Sequence, residues 1–136
     1  WLASKYWSSG FGSFHNVGHL FNTDISGGLP YVITQMLSSS EIGFVSLLPA
    51  LPAEWKTGSV EGIALRGQVV IKKMQWSSEK IEVELQSTVN QQLVLQVPAQ
   101  FKDIKGDAVL KRKKTSSNQA SLSLKANTLH KITMTL

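Results

Sequence analysis

The sequence predicts a mainly β protein: an antiparallel β-sandwich preceded by a loop-rich stretch that holds one short helix. Three observations carry that prediction. From Glu41 onward apolar and polar residues alternate with period two, as in strands that are dry on one face and wet on the other. Turn-forming groups, Ser77-Ser78-Glu79, Val89-Asn90 and Gly106-Asp107, interrupt the alternation at strand-length intervals and read as hairpin turns. Only Pro30 to Ser39 has a helical face.

Residues 1–28 mix Trp1, Tyr6, Trp7, Phe11, Phe14 and Phe21 with glycine and serine and keep neither period, so they read as loop. So many rings do not suit a solvated linker; they anchor the segment on a surface or stack on sugar rings. Ser26 or Gly27 can cap a helix over 30–39, with Pro30 in the first turn, where its missing N–H costs nothing. Val32, Ile33, Met36 and Leu37 form its apolar face, and the serine run after it ends it.

Strands are expected near 42–48, 59–66, 68–76, 80–87, 91–97, 108–113, 121–126 and 130–136. Between the first two, Pro49 and Pro52 brace a corner in which Leu48 and Leu51 should be extended. Trp55 should be buried there against the sheet and the helix. In the third strand Val69 and Ile71 keep one phase while Met74 and Trp76 keep the other. An extra residue near Lys72-Lys73, a β-bulge, would return all four to one face. The run Lys111-Arg112-Lys113-Lys114 suits an edge strand, where lysine blocks unwanted pairing.

A chain of 136 residues without cysteine allows neither a disulfide framework nor a thiolate metal site. No apolar run is long enough to cross a bilayer, and no basic-then-apolar signal sequence begins at Trp1; a chain that does not begin with Met suggests a fragment or a processed product. The net charge of +5 is uneven: Lys5 and Lys56 against Asp24, Glu41 and Glu54 give −1 before residue 59, which leaves +6 after it. A basic half invites polyanions. No aromatic residue is interleaved with the cations between 102 and 136, which speaks against nucleic acid.

Met36-Leu37, Leu47-Leu48-Pro49-Ala50-Leu51-Pro52, Trp55, Gly58-Ser59-Val60, Gly62 and Arg66-Gly67 resemble the start of the C-terminal β-domain of glycoside hydrolase family 95, the α-L-fucosidases and related α-L-glycosidases. The similarity covers roughly Leu20 to Trp76. It implies that residues 1–40 are the tail of an (α/α)6-barrel catalytic domain and residues 41–136 its C-terminal β-sandwich. The whole protein would then be an exo-acting, inverting hydrolase of α-L-fucose or a similar sugar such as α-L-galactose, working without a cofactor. A secreted or periplasmic location follows from the same resemblance, as does a glycan substrate with no membrane partner.

The resemblance also sets Asp24, twelve residues before Met36, on an aspartate of the family's water-activating group. An inverting glycosidase needs one carboxylic acid for the leaving oxygen and a base group for water on the opposite face of the ring. The family usually carries asparagine two residues after that aspartate, and this chain has Ser26 and then Gly27. From the residues alone Asp24 equally suits a turn or helix entry. His15 and His19 are four apart, but Gly12 and Gly18 argue against a helix that would make them metal ligands. With Ser26 they are candidate sugar contacts. A carbohydrate-binding module is the alternative function, although only Phe101 follows Trp76 among the aromatic residues.

Overall fold

The structure, a computed structural model, describes residues 7–9, 12–14, 21–112 and 118–136. The chain divides into two units, Trp1–Gln35 and Met36–Leu136. In the first, β1 (Trp7–Ser9), β2 (Gly12–Phe14) and β3 (Phe21–Asn22) pair antiparallel in that order, and α1 (Thr23–Leu37) follows. Short strands therefore stand in a stretch expected to be loop. The helix also begins earlier than expected, so Pro30 lies inside it, and the Thr34 hydroxyl donates to the Pro30 carbonyl at 2.8 Å. Of the expected apolar face Leu37 is buried and Val32 is exposed. No helical hairpin, the repeating piece of an (α/α)6 barrel, stands among the described residues.

The second unit is two five-stranded sheets. One has the order β10-β13-β8-β7-β6, from β6 (Gly58–Leu65), β7 (Val69–Trp76), β8 (Lys80–Ser87), β10 (Asp103–Gly106) and β13 (Leu129–Thr135). The other has the order β11-β12-β9-β5-β4, from β4 (Ser38–Glu41), β5 (Phe44–Leu47), β9 (Gln91–Gln96), β11 (Val109–Arg112) and β12 (Gln119–Leu124). Alternation decides what lies between them. Ile71, Ile81, Leu85, Leu95, Leu122 and Ile132 are all buried, and the residues beside them on each strand turn outward.

Four expectations change here. The first strand is a hairpin, β4 and β5, turning at Ile42-Gly43 with Gly43 at φ +79; the serines after the helix extend because they pair with Val45, Ser46 and Leu47. The sandwich is not wholly antiparallel, since β5 runs parallel to β9 with Val45 beside Leu95. Val89-Asn90 is not a hairpin turn but a passage from one sheet to the other, and so is Asp107-Ala108. The short strand β10 was not expected; its Gly106 lies so close to the Lys131 carbonyl and the Ile132 Cα that a side chain would collide with backbone.

The bulge is present. Ile71 faces Leu85 but Lys73 faces Glu84, so Lys72 is the extra residue on β7. Val69, Ile71, Met74 and Trp76 are all buried while Lys72 is exposed. The neighbouring strand repeats the phase change at Gly62, which has φ +76 and stands opposite Lys72 between the pairs Glu61↔Lys73 and Ile63↔Ile71. Lys111 and Arg112 lie on the edge strand β11, as expected; Lys113 and Lys114 lie outside the described residues.

Candidate functional site

The corner after β5 is built from its prolines outward. Leu48 is buried and adopts φ +50, a left-handed backbone, although it was expected to be extended before Pro49. Its N–H donates to the Leu37 carbonyl at 2.8 Å and that of Ala50 to Met36 at 3.3 Å; these bonds tie the corner to the last residues of α1 and hold a conformation that costs on the order of 1–3 kcal/mol. Beyond Pro52 the chain turns again, the Trp55 N–H donating to the Pro52 carbonyl at 3.0 Å.

Trp55 is not buried: 38% of it is exposed, against 8% of Trp76. The physical reason is Gly58. With no side chain there, the Trp76 indole lies across the glycine and takes the covered place, its Nε1–H donating to the Trp55 carbonyl at 2.9 Å. A Cβ on Gly58 would overlap the ring. Trp55 therefore supports the corner through its backbone, and it lines a groove of about 420 Å³.

Three segments wall that groove: the corner with Leu48 to Ala53, Trp55 and Lys56, the β7–β8 turn with Trp76, Ser77 and Ser78, and the segment after β9 with Pro98, Gln100 and Phe101. Of the four aromatic residues after Met36, namely Phe44, Trp55, Trp76 and Phe101, all but Phe44 line it. So do Pro49, Pro52 and Pro98, which stiffen its rim. Among the described residues the side chains of Lys56, Ser78 and Gln100 make no hydrogen bond within the chain.

Other sequence motifs prove to have structural tasks. Arg66 pairs with Glu41 at 2.9 Å while its N–H donates to the Ser40 hydroxyl, and Gly67 takes φ +77 with its carbonyl bound by the Gln91 amide at 2.7 Å. The β6–β7 turn is thereby fastened to the second sheet. On the outer face of the first sheet four lysines are matched: Lys73 with Glu61, Lys80 with Glu82, Lys105 with Asp103 and Lys131 with Glu84. The hydrogen bond and charge of Glu84 hold the Lys131 pKa above the ordinary lysine value. A face of matched charges is a poor polyanion track.

His130 is buried, and its Nε2 accepts the Lys125 N–H at 3.0 Å. That acceptor places the proton of the neutral ring on Nδ1, which stands 3.3 Å from an Asp107 carboxylate oxygen without hydrogen-bond alignment. It joins the β12–β13 turn to the passage between the sheets. Among the described residues no three His, Asp or Glu side chains gather as metal ligands would.

Asp24 and Ser26 both fall in the first turn of α1, the end at which the helix dipole favours a carboxylate. His15 and His19 lie outside the described residues. The groove was missed in the sequence because its walls are separated by tens of residues. The clustering of tryptophan with proline at 49–55 was the one local signal for it. Residues 39–132 match the sequence profile of glycoside hydrolase family 95, C-terminal domain, a match that takes in the Leu47–Pro52 run and Arg66-Gly67 and leaves Asp24 outside. No curated protein matches the chain.

Proposed function

The chain belongs to the glycoside hydrolase family 95 C-terminal domains, and from that premise we propose that it is part of an exo-acting, inverting α-L-fucosidase-like hydrolase. In this proposal residues 41–136 are a structural β-domain that packs on a helical-barrel catalytic domain, and residues 1–40 are the tail of that barrel. The whole protein acts on a glycan outside the cytoplasm, without a cofactor. The observation that carries the proposal is the family match over 39–132. It is supported by the structural tasks of Gly58, Gly62 and Arg66-Gly67, which shape the first sheet and fasten it to the second, as a structural β-domain requires.

Catalysis would belong to the whole protein. An inverting site holds two carboxyl groups about 6.5–9.5 Å apart, so that a water fits between the base and the sugar. Asp24 supplies one of them, as part of the water-activating group, with Ser26 in place of the family's usual asparagine and His15 and His19 as sugar contacts. The acid that protonates the leaving oxygen lies on the barrel. The chain by itself should therefore release no fucose or galactose from a fluorogenic α-L-glycoside. The longer protein should do so and lose about 10²–10⁴-fold in kcat on Asp24→Asn, the usual worth of general-base assistance. A binding role alone would raise KM and leave kcat unchanged. Turnover by the 136-residue chain, or indifference of the longer protein to Asp24→Asn, would overturn the assignment.

A further inference from the structure

We propose that the Trp55 groove is a sugar-binding site on the β-domain itself, taking one or two neutral pyranose rings of a glycan. This goes beyond the catalytic assignment and does not depend on Asp24. Trp55 is the central observation. Its N–H and its carbonyl are both engaged, by Pro52 and by the Trp76 indole, so Trp55 is fixed at its backbone while 38% of the residue stays exposed and it lines the groove. A ring already held in place gives up little freedom when a ligand stacks on it. The covered faces of Trp76 and Phe101 and the prolines 49, 52 and 98 make the rest of the wall apolar and stiff.

The chemistry of the wall selects the ligand. A volume of about 420 Å³ falls within the range of about 300–1,000 Å³ typical of small-molecule sites, which suits one or two rings. No carboxylate lines the groove, so it offers nothing to a cation, and Lys56 is its single charge, too little for a polyanion. Lys56, Ser78 and Gln100, one from each of the three walls, have donors and acceptors not used within the described chain. A purely apolar ligand would leave them unpaired on its arrival. A pyranose has a face of C–H groups for the indole and a rim of hydroxyls for the amide, hydroxyl and ammonium, which matches both parts of the wall.

The test is a titration of the 136-residue chain with methyl α-L-fucopyranoside and, separately, with lactose, followed by indole N–H and backbone NMR shifts. Saturable shifts at Trp55, Ser78 and Gln100 are expected in the millimolar range that one stacked ring and a few hydrogen bonds support. Trp55→Ala should weaken binding by about tenfold or more, with the dispersion of the spectrum kept. Gln100→Ala, at an exposed position, should weaken it by a smaller factor and provides the reading if Trp55→Ala perturbs the corner. Trp7→Ala should leave binding unchanged. Absence of saturation at about 50 mM of either sugar, or binding that Trp55→Ala and Gln100→Ala leave intact, overturns the proposal. Sugar binding removed by Trp7→Ala would place the site in the N-terminal unit and overturn it as well. Failure here leaves the family's catalytic assignment standing, because that assignment rests on turnover by the longer protein.

Discussion

Strand β7 and the corner at 48–58 both break the period-two pattern, and the two breaks were not equally legible. In β7 the break is a shift of phase within eight residues, and one extra residue, Lys72, restores Val69, Ile71, Met74 and Trp76 to a single buried face. In the corner the break is the displacement of Trp55 from the interior by Trp76, distant in sequence and adjacent in space, decided by the missing side chain of Gly58. A local irregularity can be inferred from its own residues. An exchange between segments needs the pairing of β6 with β7, which sets Gly58 opposite Trp76.

The sharpest way to break this comparison is to delete Lys72. Without the extra residue either Val69 and Ile71 or Met74 and Trp76 must turn to water, and two large side chains exposed cost about 3–6 kcal/mol, at about 1.5–3 each. That is a large share of the roughly 5–15 kcal/mol that holds a domain folded, so the deletion variant should unfold at a much lower urea concentration than the parent. A variant as stable as the parent would show that β7 has no obligatory phase.

Next in size is the pair of tryptophans. Trp76→Ala should cost about 3–5 kcal/mol, from the lost burial and the cavity left behind, whereas Trp55→Ala should cost less, about 1–2 kcal/mol, because more than a third of the residue is already exposed. Equal losses would return Trp55 to the interior. Gly58→Ala follows, at about 1–3 kcal/mol, since the new methyl must displace a buried indole. The same variant should shift the Trp76 indole N–H resonance, because the bond to the Trp55 carbonyl is strained with it.

The smallest effect belongs to the outer face. Lys131 lies on the surface, and its raised pKa comes first from the hydrogen bond and charge of Glu84. A raised lysine value means that whatever the pair contributes is fully present below the ordinary value of 10.5 and is lost as pH rises through the higher folded-state value. Lys131→Met should therefore move the denaturation midpoint least of these changes, and any difference from the parent should vanish in strongly alkaline solution.

Much of the β-domain was legible because alternation is a direct record of which face is dry. Ile81, Val83 and Leu85, or Leu122 and Leu124, could be assigned inward from the sequence, and all are buried. The candidate catalytic residue was legible only through family resemblance, since an aspartate ahead of a helix suits a helix entry as well as a water-activating group. The sequence by itself determined most strands of the sandwich, the bulge and the edge position of Lys111, because each follows from periods and charges within one segment. Tertiary structure decided the parallel pairing of β5 with β9, the passages between sheets at Val89-Asn90 and Asp107-Ala108, and the displacement of Trp55 from the interior by Trp76. The physical reason is common to all three. Which sheet a strand joins, and which of two rings is covered, depends on free-energy differences between whole arrangements of distant segments, and no local residue pattern records them.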